Sequence, residues 1–347
     1  MSLGEEWAEG LGAVGKEQSF KLLDTYFDAG GNFFDTASGY QNEESEKILG
    51  EWMESRGVRD RCVVSTKYAQ NYRLHDIGKI KSINFNGNSK LTMNLSIRDS
   101  LKKLRIEWID VFFVHGWDYS ATIEEVMDAL DILVKQGKVM YLGISNTPAW
   151  VVTAANTYAK LTGKTPFSVY QGPWSVLNRT LEKDVIPMCR QFGLAINAYA
   201  VLASGKLRSQ KDIEARKASG ERVFRHGVSE QTEAERKSSA ALEKVGEELG
   251  GKSITAVALA YVLAKAPYTF PVVGVREVEQ LQDNIAALDI KLSDEQILYL
   301  ESVQPFEMAW PASWLGGDPS VSGKDLLSAV SSGRVDYVRA PRPVGYN

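Results

Sequence analysis

The chain has 347 residues, 44% of them hydrophobic, enough to bury one large α/β domain or two ordinary ones. A net charge of −4 with scattered Lys and Arg argues against a nucleic-acid partner, and Cys62 and Cys189, far apart and without CxxC spacing, imply neither a disulfide nor a metal and suit a reducing compartment. No stretch approaches the roughly 20 apolar residues of a membrane span, and MSLGEEWAEG has no leader-like apolar run, so a soluble, unsecreted, cytoplasmic protein with no membrane contact is expected.

From residue 16 onward, helical periodicity alternates with short, β-branched, unalternating apolar runs of the kind buried on both faces of a parallel sheet. Lys16 to Ala29 reads as a helix that stops at Gly30-Gly31, and Asn32 to Asp35 follows as a strand. Helix Glu43 to Ser55 precedes strand Arg61 to Lys67, helix Leu95 to Leu104 precedes strand Asp110 to His115, and helix Thr122 to Gln136 precedes strand Val139 to Ser145. Pro148 opens a helix to about Ala159, since proline suits a first turn, and strand Phe167 to Gln171 comes next. Helix Leu181 to Gln191 then leads to strand Leu194 to Ala200. Two helices, Glu233 to Leu249 and Ser253 to Lys265, come before strand Thr269 to Val275, and helix Val278 to Ala287 closes the series.

This reading gives seven strands. Repeated βα units form either an open doubly wound sheet or a closed (β/α)8 TIM-type barrel, and the barrel needs a first strand that is degenerate or missing here. Asn71 to Leu91 and the basic stretch Ser204 to Ser229 read as long irregular loops, of the kind that tend to be functional. The domain reading is a barrel over 1–304 and a C-terminal tail over 305–347 that lies across it.

Five successive strands end in titratable or amide side chains: Asp35, Lys67, His115, Ser145-Asn146 and Gln171. In parallel sheets ligands sit at the carboxyl ends of the strands, so these residues are expected to share one rim. A tyrosine is too weak an acid to work alone near neutrality, but an adjacent ammonium favours its phenolate, and Lys67 is placed to act so on Tyr40. Asp35 would hold Lys67 by an ion pair, and a neutral His115 would donate to a substrate carbonyl. Such a set protonates an oxygen while hydride arrives at carbon. Asn146 and Gln171 are suited to gripping a carboxamide. Arg276, between a strand and a helix N-terminus, is suited to phosphate.

NFFDTASGY (32–40), STK (65–67), VHGWD (114–118), GISN (143–146) and FPVVGVREVEQLQDNI (270–285) together resemble the aldo-keto reductase superfamily. Its fungal aryl-alcohol dehydrogenase and norsolorinic acid reductase branch is matched further by KEQSFKLLD, RDSLKKLRIEWIDVFFVH, TPAWVV, GKTPFSVYQGPWSVLNR and FEMAWPASWLGGDPSV, so that the likeness runs from about Met1 to Val321. The resemblance implies a catalytic tetrad of Asp35, Tyr40, Lys67 and His115, with Tyr40 as general acid in reduction. It further implies that Ser145, Asn146 and Gln171 bind the nicotinamide carboxamide and Tyr199 stacks on its ring. Gly274, Arg276, Gln280 and Asn284 fall where the family holds the 2′-phosphate and adenine, so NADP(H) is the expected cofactor and a small carbonyl or alcohol, aromatic or polyketide-like, the expected substrate. MSLG resembles the end of the family's first turn, so a barrel shortened at its N-terminus is expected. Gly116 stands where close relatives carry a bulky aromatic, which would enlarge the substrate pocket.

Two other readings stay open. GLGAVG (Gly10 to Gly15) is a literal GxGxxG followed by a helix, with Asp35 about 20 residues on, and YVLAK supplies the Tyr261 and Lys265 pair of a short-chain dehydrogenase; the fingerprint, however, requires a preceding strand. The third reading is a barrel that binds NADP(H) as a regulatory or sensing subunit without turnover.

Overall fold

A computed structural model describes the chain apart from residues 221, 222, 224–229, 305, 332, 334, 335 and 347. Six strands, β1 Phe33–Asp35, β2 Val63–Tyr68, β3 Ile109–Val114, β4 Val139–Ser145, β5 Phe167–Pro173 and β6 Ala195–Tyr199, pair in chain order into one all-parallel sheet. Helices α1 Lys16–Asp28, α2 Glu44–Arg56, α3 Lys90–Leu104, α4 Ile123–Lys135, α5 Ala149–Thr162 and α6 Val185–Phe192 alternate with them, and α7 Glu233–Glu248, α8 Ile254–Lys265, α9 Val278–Ile285 and α10 Asp294–Val303 follow.

The register sets which side chains share a level. Asp35 stands beside Ser65, Lys67 beside Phe113, Phe113 beside Gly143, Ser145 beside Gln171, and Gln171 beside Asn197. Since alternate residues of a strand face the same side, the polar strand ends are delivered to one side of the sheet. Gly143 is a packing requirement: a Cβ there would collide with the Phe113 ring. The main core lies between the sheet and its helices and includes Phe112, Leu130, Val139, Leu142 and Tyr261, while a smaller cluster around Trp52, Phe34 and Leu49 binds α1 and α2 to the first strands.

The seventh expected strand, Thr269 to Val275, is an extended segment and not a regular strand. It is nonetheless paired: Phe270 N donates to Ile196 O at 2.7 Å, Val272 N to Ala198 O at 2.7 Å, and Ile196 N to Tyr268 O at 2.9 Å. Pro271 sits at the residue whose missing N–H would face away from β6, which leaves this pairing intact and removes a donor for any strand on the far side. Thr269 forms only an isolated bridge, with Ile196.

Other boundaries move for local reasons. Helix α3 starts at Lys90 and not Leu95, because the Ser89 side chain accepts from Thr92 N and caps it. Pro148 is the cap of α5, one residue outside the helix. Both stretches read as irregular contain helices, at Leu74–Lys81, interrupted at Gly78, and at Gln210–Ser219, capped by Ser209; much of the rest of the second stretch lies outside the described residues. The tail carries short turns at Ala312–Leu315, Pro319–Ser322 and Leu327–Val330 and is tied to α10 by Arg342 and Asp294, 2.6 Å apart. No helix among the described residues is long and apolar enough to cross a membrane, and no metal-binding cluster occurs among them.

Candidate active site

Asp35 closes β1, Lys67 lies near the end of β2, and His115 directly follows β3, so three adjacent strands bring a carboxylate, an ammonium and an imidazole together. Lys67 is fully buried, with Nζ 2.6 Å from Asp35 Oδ2 and 2.7 Å from the carbonyl oxygen of Thr36. Asp35 Oδ1 accepts from Ser65 Oγ at 2.7 Å and from Gln171 Nε2 at 3.1 Å. Burial works against the Asp35 charge, but Lys67 and these hydrogen bonds outweigh it and hold the carboxyl below its ordinary range. Burial also draws the Lys67 ammonium below its usual value, against the pull of Asp35.

Tyr40 reaches the same point from the loop after β1. Its ring centroid is 5.1 Å from Lys67 Nζ, and its hydroxyl is 3.3 Å from His115 Nε2. The expectation that Lys67 lowers the phenol's pKa is reversed. Burial raises it, and the Asp35 carboxylate adds to the rise, so the phenol keeps its proton in the resting site. Desolvation and the neighbouring Lys67 charge push His115 down to about 3, which makes it a neutral imidazole near pH 7.

This last shift bears on stability. The folded His115 binds a proton less readily than the unfolded one, so its contribution is intact above the ordinary value of 6.5 and is lost as pH falls towards 3. By pH 5 the loss amounts to roughly 2 kcal/mol. His115→Asn should flatten that part of the curve of unfolding free energy against pH; denaturant titrations giving equal slopes for the two proteins would contradict the shift.

A second group adjoins the first. Asn146 Nδ2 donates to the His115 carbonyl at 3.0 Å, and Tyr199 Oη donates to Asn146 Oδ1 at 2.8 Å. Asn146 holds φ at 48°, a left-handed value that asparagine tolerates better than most residues. Ser145 Oγ is buried without a hydrogen-bond partner among the described residues, as is Asn197 Nδ2 two residues before Tyr199. A buried polar atom without a hydrogen-bond partner calls for a physical explanation. Sequence reading missed Asn197, although it faces the same side of β6 as Tyr199.

The remaining predicted residues lie on the segment ending at Arg276 and on α9, with no hydrogen bond or ion pair to the tetrad among the described residues. Arg276 precedes α9; its backbone N–H donates to Gln280 Oε1 at 3.1 Å, and its carbonyl accepts from Gln18 Nε2 at 2.9 Å. The Arg276 guanidinium covers Gly12, where a Cβ would collide with it, and Ser2 similarly closes on Gly274. Asn284 is buried on α9. The segment 1–15 thus spans both clusters: Gln41 Nε2 donates to Met1 O, Trp7 N donates to Gln41 Oε1, and the Trp7 ring meets Tyr40 edge-on at 6.2 Å.

The GxGxxG reading fails on context. Residues 8–11 are a helical turn, Gly4 and Val14 form an isolated antiparallel bridge, and no strand precedes the glycines. The Tyr261 hydroxyl donates to Glu301, which also pairs with Lys265, in an ion network with Arg179 and Glu182 on the helical layer. There Tyr261 is fully buried and Lys265 is an ion-pair partner.

Comparison with known proteins gives a consistent picture. Residues 1–305 match the aldo/keto reductase family. A putative aryl-alcohol dehydrogenase of Saccharomyces cerevisiae is 54% identical over 333 residues, covering 95% of this chain and 88% of the relative. An aryl-alcohol dehydrogenase [NADP(+)] of Phanerodontia chrysosporium is 51% identical over 319 residues, 90% of this chain and 82% of the relative. A norsolorinic acid reductase of Emericella nidulans is 43% identical over 350 residues, 99% of this chain and 88% of the relative.

Proposed function

The chain belongs to the aldo/keto reductase family and is an oxidoreductase of alcohol and carbonyl groups, and from that premise we propose an NADPH-dependent reductase of aromatic or polyketide-like aldehydes and ketones, with Tyr40 as its general acid. The observation that carries this reading is the convergence of a buried phenol, a buried lysine–carboxylate pair and an imidazole on one point. The names of the P. chrysosporium and E. nidulans relatives support the cofactor and the substrate class. In the same reading the six strands and the segment paired with β6 are an arc of a (β/α)8 barrel over 1–304, and the enzyme is cytoplasmic, in keeping with two buried, unpaired cysteines.

The residues present fit a nicotinamide dinucleotide. The unpartnered Ser145 Oγ, with Asn146 and Gln171 beside it, would hold a carboxamide; Tyr199 would offer its ring; and Gly274, Arg276, Gln280 and Asn284 would hold the adenosine 2′-phosphate and adenine. When bound, the cofactor supplies the hydride. In reduction, Tyr40 gives its proton to the carbonyl oxygen, His115 donates a hydrogen bond to the same oxygen, and Lys67 offsets the charge left on the phenolate. Asp35 fixes Lys67 and takes no part in the proton transfer. Gly116 leaves room beside His115, its nearest neighbour to an added Cβ being Asn146 at 3.9 Å.

The cofactor assignment is tested by Arg276→Ala. Loss of a charged forked donor should weaken NADPH about 10–100-fold and NADH by less than about threefold, measured by fluorescence titration. An equal loss for both nucleotides would reject the phosphate role.

A further inference from the structure

Lys103 projects from α3 behind the loop that carries Tyr40, and its side chain is 8% exposed. Its Nζ donates to the Ser38 carbonyl at 2.9 Å and to Glu43 Oε1 at 3.0 Å. Glu46 Oε2 sits 2.7 Å away, off the line of a hydrogen bond and with no other partner among the described residues, and the Tyr72 ring centroid is 5.0 Å from the ammonium. Ser38 lies two residues before Tyr40 and Glu43 three residues after it, so one cation is bonded on both sides of the tyrosine.

The turn it brackets is strained. Gln41, Asn42 and Glu43 have φ of 53°, 49° and 77°, three consecutive non-glycine residues in the left-handed region. Such backbone persists only where its surroundings over-determine it. The same network reaches the other side of the site. Glu46 is fully buried, and its Oε1 accepts from Thr66 Oγ1 at 2.6 Å, from the residue just before Lys67. Through Glu46, therefore, Lys103 ties the Tyr40 turn to the strand that presents Lys67.

We propose that Lys103 is a positioning residue for the reaction: its ammonium clamps the strained turn 41–43 and so fixes the Tyr40 hydroxyl against Lys67 and His115, without touching substrate or cofactor. This rests on Tyr40 being the acid. Without the clamp the turn relaxes, the phenol wanders from its place, and proton transfer slows while cofactor binding is spared.

The test is a pair of variants in two backgrounds. Lys103→Met should lower kcat about 10–100-fold, the cost of a small misplacement of a catalytic group, with the NADPH dissociation constant unchanged, and Lys103→Arg should restore part of the loss. In a Tyr40→Phe background, Lys103→Met should have no further effect on the residual rate. An unchanged kcat for folded Lys103→Met, or the same fold-loss in both backgrounds, would overturn the proposal. If Lys103→Met does not fold, Glu43→Leu removes one anchor only; it should lower kcat in the wild-type background and not in Tyr40→Phe, and an unchanged kcat overturns the proposal. A Tyr40→Phe enzyme at full rate would overturn both the acid assignment and the clamp, whereas a slow Tyr40→Phe enzyme beside an unaffected Lys103→Met enzyme overturns the clamp alone.

Discussion

Tyr40→Phe should reduce the turnover of carbonyl reduction by about 10²–10⁴-fold, the usual share of a positioned general acid, while leaving the NADPH dissociation constant within about twofold of wild type. The substitution removes one oxygen. It keeps the ring that packs edge-on against Trp7 and against His115, so the architecture of the site should survive. What disappears is the proton. Burial and the Asp35 charge raise the phenol's pKa and so favour its protonated form, and in the proposed mechanism the charge left when the proton departs would be offset by Lys67, 5.1 Å from the ring. That compensation exists mainly in the transition state, which is why the loss should fall on kcat and not on binding. Steady-state rates with an aromatic aldehyde, paired with a fluorescence titration of NADPH, separate the two. Equal turnover in the variant would remove Tyr40 from the chemistry.

Lys67→Met should be as damaging to turnover and should also destabilise the protein, by about 3–5 kcal/mol, because it leaves a buried carboxylate without its cation. Lys67 is fully buried, and Asp35 has only Ser65 and Gln171 as other side-chain partners among the described residues. The two effects can be parted. Adding Asp35→Asn to Lys67→Met removes the orphaned charge and should restore much of the stability, as read by denaturant unfolding, while turnover stays low because nothing then offsets the phenolate. Recovery of activity together with stability would show that Lys67 acts only as a structural ion-pair partner.

The strand-end cluster was legible in sequence because a doubly buried parallel strand is a nearly pure apolar run, which marks the polar residue at its end. Asp35, Lys67 and His115 stand out for that reason, and the register brings them together. The seventh strand was legible as an extended run, and its backbone pairs with β6 at Phe270 and Val272 without forming a regular strand. Helix α10 was passed over although Ser293 and Gln296 form a capping box that announces it. Lys103 and Glu46 were invisible for a different reason. On an amphipathic helix a charged residue reads as a solvated one, and only the packing of α3 against α2 shows that these two face each other under the Tyr40 turn. The direction of the Tyr40 shift was misjudged because sequence reveals a neighbouring cation but not the depth of burial, which here decides the sign.

The account turns on a protonated phenol and a buried ammonium delivering a proton as hydride arrives, and a single turnover tests it most directly. Enzyme mixed first with one equivalent of NADPH and then with an aromatic aldehyde should lose absorbance at 340 nm in one phase, with alcohol formed one for one. Bound NADPH whose absorbance persists for hours in the presence of aldehyde would contradict it and would leave a nucleotide-sensing barrel in its place.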